Sequence, residues 1–90
     1  MIPKVVQVIP YEDYTVDVYF DDGKIVTYNP KDRLSEYGFG RIKDIFFTNC
    51  TVMNGTLAWD ISGNYDETKC FDIDPLVLHE LPAIKERIPA

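Results

Sequence analysis

His79 is the single histidine of the chain and the first side chain suited to acid–base chemistry. Such catalysis needs a nucleophile or an orienting partner within hydrogen-bond reach. The sequence neighbours of His79 are Leu78 and Glu80, and no serine or cysteine stands near it. The Gly-Phe-Gly at 38–40 lacks the further glycine and the lysine of a phosphate-binding loop. The sequence therefore predicts that the protein is not an enzyme.

Metal-ligating residue types are present, but not at the spacing of a familiar site. Cys50, Cys70 and His79 are far apart in sequence and lack the paired spacing of zinc ligands. The stretch 60–67 is rich in oxygen ligands but lacks the alternating pattern of an EF-hand loop. No cofactor and no metal are therefore predicted. A small-ligand or metal site remains an alternative, with the candidate residues Asp60, Asp66, Asp72 and Cys70.

Aromatic side chains are the strongest candidates for binding, since they make up 13% of the chain and crowd the first predicted hairpin. Exposed tyrosines are favoured at protein interfaces because the ring is apolar and the hydroxyl polar. Core packing of the same rings is the alternative. The candidate interaction surface consists of Tyr11, Tyr14, Tyr19 and Tyr28.

The charge of the chain restricts its partners. Nine basic and fifteen acidic residues give a net charge of −6. This balance argues against direct nucleic-acid binding, because that affinity comes mainly from neutralised phosphates. Residues 24–43 hold five basic and two acidic side chains, so this stretch is +3 and the remainder is −9. An acidic protein suits a basic protein partner, although solubility alone also explains such a charge.

Length and composition predict one domain over residues 1–90. No apolar run reaches the ~20 residues that span a bilayer, so no membrane partner is expected. The N-terminal sequence lacks the basic region and apolar core of a secretory signal. Two cysteines cannot form a disulfide framework. We therefore expect a cytoplasmic protein with reduced thiols.

Hairpins are the predicted framework for these residues. Asp22-Gly23 and Asn54-Gly55 predict tight turns, because glycine accepts a positive φ. Trp59 alternates with apolar neighbours and is predicted to lie in the core. Alternation and β-branched content predict strands over 4–9, 14–20, 24–28, 50–53, 56–61 and 69–73.

Two helices complete the predicted fold. Ile42, Ile45 and Phe46 fall at i, i+3 and i+4, which favours a short helix over 41–49. Asp74 followed by Pro75 is typical of a helix N-terminus. The predicted fold class is α+β, a mostly antiparallel sheet built from hairpins with one central helix and a short C-terminal helix.

Four short segments, taken in order, form a pattern that covers roughly residues 3–80. They are 8–10 (Val-Ile-Pro), 14–20 with the Asp-Gly at 22–23, 57–59 (Leu-Ala-Trp), and 71–75 (Phe-Asp-Ile-Asp-Pro) with Leu78. This order resembles a bacterial family of uncharacterised small proteins, the domain of unknown function 2442. The family has no assigned enzymatic activity, so the resemblance implies no catalytic residues. It implies either a role beside helix-turn-helix transcription factors or an antitoxin-like pairing with a small protein partner.

We therefore expect a non-enzymatic protein-interaction module that binds a protein partner or a second copy of itself. An antitoxin-like pairing is one form that this function takes. The alternatives are an accessory or regulatory domain associated with DNA-binding proteins, and the small-ligand or metal site around Asp60.

Overall fold

The computed structural model describes residues 3–30, 42–61 and 70–85. In these ranges the chain forms six strands, one 3-10 turn and one short α-helix. Strands β1, β2 and β3 span Val5–Pro10, Val16–Phe20 and Ile25–Tyr28, and the 3-10 turn is Lys43–Ile45. Strands β4, β5 and β6 span Cys50–Met53, Thr56–Asp60 and Cys70–Asp72, and helix α1 is Pro75–His79.

The strands form two antiparallel sheets of three, each in chain order. In the first sheet Val18 pairs with Val8 of β1 and with Val26 of β3. The β2–β3 connection turns at Gly23, whose φ of +89° confirms the predicted tight turn. Alternate residues of a strand point to opposite faces, so this register directs the β2 valines to one face.

The second sheet is centred on β5. Trp59 pairs with Cys50 of β4 and with Phe71 of β6. The β4–β5 turn is formed by Asn54 and Gly55, with φ values of +54° and +73°. Two positive φ values in succession are the geometry of a type I′ hairpin, which confirms the turn predicted from the Asn-Gly pair.

The two sheets enclose one core. Val16, Val18 and Phe20 of the first sheet lie in the same buried cluster as Leu57 and Trp59 of the second. A backbone hydrogen bond from the Val5 N–H to the Gly55 carbonyl, 2.9 Å long, joins β1 to the β4–β5 turn. The buried faces of both sheets therefore meet, as in a small sandwich.

The predicted central helix over 41–49 is wrong, and with it the α+β class. Within the described residues 42–49 only Lys43–Ile45 is helical, as a 3-10 turn without a side-chain cap at its start. Nine residues are too few for a helix that is stable without packing, and the aromatic, threonine and asparagine positions that follow are weak helix formers. Ile42 and Phe46 are nevertheless buried. The spacing of apolar residues therefore indicates core positions here but does not indicate a helix.

The C-terminal helix is present and short. The Asp74 Oδ1 accepts a hydrogen bond of 2.9 Å from the Leu76 N–H, which confirms the predicted N-cap. Leu78 is buried in the core, whereas Leu76 and Val77 are exposed. The described structure is thus a pair of antiparallel sheets with a single turn-and-a-half of α-helix packed beside them.

Candidate functional site

The β1–β2 connection has a specific hairpin geometry. The Tyr14 N–H donates to the Tyr11 carbonyl over 3.1 Å, and the Tyr11 N–H donates to the Thr15 carbonyl over 2.8 Å. Tyr14 has a φ of +64°, in the left-handed region. This is a turn closed by a left-handed residue, the arrangement in which glycine is the usual last residue. Here that position carries a tyrosine.

Asp13 supports this loop from within. Its Oδ1 accepts hydrogen bonds from the Thr15 N–H over 3.1 Å and from the Thr15 hydroxyl over 2.6 Å. An aspartate that bonds two residues ahead is a standard means of stabilising a turn. The backbone around Tyr14 is therefore held in place by short-range hydrogen bonds.

The Tyr14 ring packs on two phenylalanines. Its centroid lies 5.1 Å from that of Phe46 in an edge-to-face contact and 6.2 Å from that of Phe47. Phe46 is 1% exposed and lies 5.2 Å from Trp59, so it belongs to the core. Phe47 is 42% exposed. Tyr14 and Phe47, the aromatic pair, thus present ring surface to solvent above a buried base.

Exposed carboxylates stand close to the aromatic pair in the sequence. Glu12 and Asp13 directly precede Tyr14, Asp44 stands three residues before Phe47, and all three are exposed. Lys43 is exposed beside Asp44 and is the one basic side chain in the described segments 11–15 and 42–49. We call the surface formed by the aromatic pair and these carboxylates the loop-end patch: Glu12, Asp13, Tyr14, Asp44 and Phe47.

The other three predicted surface tyrosines lie elsewhere. Tyr28 is in the buried core, where it pairs with Val16. Tyr19 points to the opposite face of the first sheet and is half-buried. The Tyr11 hydroxyl donates to Asp17 Oδ2 over 3.1 Å on that same outer face. The structure therefore does not gather the four tyrosines on one face, and their role in binding stays a prediction.

Asp17 is a buried carboxylate that sequence reasoning did not single out. It is 0% exposed, although strand alternation directs it away from the core valines. Besides the bond from Tyr11, its Oδ1 accepts a hydrogen bond of 2.9 Å from the Thr27 hydroxyl, its cross-strand partner. Two features of the sequence indicate this buried carboxylate. Asp17 stands between two valines of a predicted strand, and the turn predicted at Asp22-Gly23 places Thr27 opposite it.

The two cysteines, which are candidate metal ligands, are not brought together. Cys50 pairs with Trp59 and Cys70 with Asp60, so consecutive β5 positions direct the two thiols to opposite faces. Burial raises the pKa of the Cys50 thiol to about 12. Within residues 3–30, 42–61 and 70–85, no three His, Cys, Asp or Glu side chains are grouped as metal ligands would be.

Two members of the predicted small-ligand site are brought together, because Asp60 is the direct cross-strand partner of Cys70. Asp60 is buried on β5 and Asp72 is exposed on β6. Asp66 lies outside the described residues. The small-ligand site therefore stays a prediction.

His79 has a structural partner at the β2–β3 turn. Its Nε2 lies 2.8 Å from Asp22 Oδ2, and its ring contacts Phe20 edge-to-face at 4.8 Å. Lys24, the first basic residue of the +3 stretch, donates from Nζ to the His79 carbonyl. These contacts dock the C-terminal end of α1 on the hairpin. Most of the other charged residues of that stretch, over 31–41, lie outside the described residues.

Asp22 should make the stability of the fold decrease in acid. The Lys24 N–H, and then the His79 side chain, hold the pKa of the Asp22 carboxyl below its ordinary value of 3.8. A carboxyl with a lowered folded-state pKa stabilises the fold above its unfolded-state pKa, and that contribution is lost as the pH falls through the folded-state value. We expect the difference in Tm between the protein and Asp22→Asn to shrink as the pH falls below about 4.

Thermal unfolding followed by circular dichroism, from about pH 5 downwards where carboxyls titrate, measures this difference. Glu12→Gln is the control, because Glu12 is exposed and makes no hydrogen bond within the described structure. A Tm difference for Asp22→Asn that stays constant across this range would contradict the prediction.

The described ranges contain no helix that is long and apolar enough to cross a membrane. Comparison of the chain with protein-family models, with curated proteins and with solved structures found no match.

Proposed function

We propose that this protein is a non-enzymatic protein-interaction module that binds a basic protein partner through the loop-end patch. The observation that carries the proposal is Tyr14, a tyrosine at a left-handed position that glycine normally fills. The left-handed conformation costs a non-glycine residue roughly 1–2 kcal/mol. Costs of this kind are concentrated at functional sites, where the side chain is needed in one place.

The composition of the patch supports a protein partner. Tyrosine and phenylalanine are enriched at interfaces, where large rings bury much area and lose little side-chain entropy. Phe47 remains 42% exposed next to a core phenylalanine. A partner that covers Phe47 would remove its exposed apolar surface from water, and this burial would favour binding.

The charge of the patch supports a basic partner. Its three carboxylates are exposed, and the whole chain has a net charge of −6. Charge complementarity accelerates association and disfavours acidic competitors. An antitoxin-like pairing with a small protein in the cytoplasm, as the family resemblance implies, is the form of this function that we propose.

Binding should depend on Phe47 and not on an equally exposed apolar residue elsewhere. The experiment captures proteins from host lysate, with nuclease, on the tagged protein, on Phe47→Ser and on Val77→Ser. Val77 is 55% exposed on α1 and is the matched control. We expect one basic protein to be retained in stoichiometric amount by the unmodified protein and by Val77→Ser, and to be lost from Phe47→Ser.

Circular dichroism of both variants checks that they fold. Retention of the same proteins by Phe47→Ser would show that this surface is not the interface. Proteins released by nuclease would instead favour an adaptor that acts beside DNA-binding proteins, and would overturn the proposal.

A further inference from the structure

We propose that the loop-end patch recognises an arginine side chain of the partner, with the guanidinium on the solvent side of the aromatic pair and the carboxylates of Glu12 and Asp44 at its edge. This inference rests on the proposed function and names the chemistry of the group that the patch binds. Its elements are the partly exposed rings of the aromatic pair, two exposed carboxylates close to those rings in the sequence, and a core phenylalanine beneath the rings.

The ring surface is fixed in place. Phe46 contacts Tyr14 and Phe47 at centroid distances of 5.1 and 5.7 Å, with interplanar angles of 70° and 72°. Phe46 is itself packed on Trp59 in the core. The core side of the aromatic pair is thus filled by Phe46, and the side that a partner meets is the solvent side. A cation placed over an aromatic face is attracted by the negative charge of the ring face.

Two carboxylates of the patch are available to a ligand. The side chains of Glu12 and Asp44 make no hydrogen bond or ion pair with any residue in the described part of the chain. The Asp13 carboxylate, by contrast, holds Thr15. A surface that combines exposed carboxylates with partly exposed rings suits a group that is both cationic and planar.

The guanidinium of arginine satisfies both requirements. It is planar, stacks on aromatic faces, is more weakly hydrated than an ammonium, and pairs with carboxylates in a bidentate manner. The lysine ammonium is a compact, strongly hydrated charge that would use the carboxylates but gain less from the rings. Arginine is also enriched at interface hot spots. The patch should therefore distinguish arginine from lysine.

Fluorescence anisotropy with three peptides tests this distinction. The probes are glycine–serine peptides of equal length that carry arginine, lysine or uncharged citrulline at the same positions. We expect the arginine peptide to bind about two- to fivefold more tightly than the lysine peptide, and the citrulline peptide to bind weakest. Phe47→Ser should remove the preference for arginine, whereas Val77→Ser should retain it.

The carboxylates are tested separately by the double variant Glu12→Gln and Asp44→Asn. This double variant should weaken the binding of the arginine and lysine peptides to the same extent. It should also reduce the salt dependence of both affinities, because this part of the binding is electrostatic. Equal affinity for the arginine and lysine peptides, unaffected by Phe47→Ser, would overturn the arginine inference. The Phe47-dependent capture of a basic protein would stand in that case, so the two proposals fail separately. Absence of binding by every peptide would also overturn the inference.

Discussion

Replacing Trp59 with alanine should lower the free energy of unfolding by about 3–5 kcal/mol. Trp59 is 0% exposed in β5, the central strand of the second sheet, and its Nε1 donates to the Phe46 carbonyl over 3.1 Å. Its ring also contacts Phe46 and Phe71 from two different parts of the chain. Alanine would leave a cavity where both sheets meet and an unpaired carbonyl beside it.

A loss of this size is a large part of the stability that a domain of 90 residues has, which is about 5–14 kcal/mol. Urea unfolding followed by circular dichroism measures it, because Trp59 is the single tryptophan and fluorescence is lost with it. Leu76→Ala is the control for an exposed apolar side chain and should change stability by less than about 0.5 kcal/mol. Nearly unchanged unfolding of Trp59→Ala would mean that Trp59 does not hold the two sheets together.

Removal of the Asp17 carboxylate should have the second largest effect. We expect Asp17→Ala to cost about 3 kcal/mol, because hydrogen bonds to a charged group contribute about 1.5–3 kcal/mol each and both part-buried donors lose their acceptor. Asp17→Asn keeps the shape and part of the hydrogen bonding, so its cost should be about half as large. The burial of Asp17 and its bonds to the hydroxyls of Tyr11 and Thr27 are the basis of this expectation.

Variants of the two hydrogen-bond donors, Tyr11 and Thr27, show how much of this stability comes from their hydrogen bonds to Asp17. Tyr11→Phe and Thr27→Val should each cost about 1 kcal/mol in the unmodified protein and less in Asp17→Ala, since a double-mutant cycle reports only the shared interaction. Glu12→Gln, which removes an exposed carboxylate, is the matched control. Additive costs in the cycle would show that Asp17 stabilises the sheet through other contacts.

The hydrogen bonds of Asp17 also connect to the loop that carries the proposed binding surface. Tyr11 is held by Asp17 at one end of the β1–β2 loop, and its carbonyl accepts the Tyr14 N–H at the other. Tyr11→Phe should therefore loosen the loop without removing any side chain of the loop-end patch. The buried carboxylate on the outer face thus supports the geometry of Tyr14.

Two turns and one helix start could be predicted from sequence because each depends on a few adjacent residues. Gly23 and Gly55 supply positive φ values, and the Asp74 side chain accepts a hydrogen bond from the Leu76 N–H of its own helix. The burial of Trp59 followed from alternation along a strand, and it is confirmed.

The candidate site could be predicted only in part. The sequence predicts an interaction surface on the tyrosines of the first hairpin, which stays a prediction, and alternation from residue 14 assigns Tyr14 to a strand. The left-handed turn at Tyr14 delays the strand until Val16 and directs the ring to Phe46. Phe46 belongs to a segment about thirty residues away from Tyr14. No pattern among neighbouring residues indicates the contact between the two rings.

The turns at Gly23 and Gly55 and the start of the C-terminal helix at Asp74 follow from neighbouring residues alone, because they depend on local φ preferences and on a side chain that caps its own helix. Contacts between distant segments decide that the described residues 42–49 contain only a 3-10 turn, that Asp17 is buried and that Phe47 stays exposed beside Tyr14. Burial and cross-strand partners are set by segments far apart in the chain, and packing between them outweighs the small free energies of local propensity.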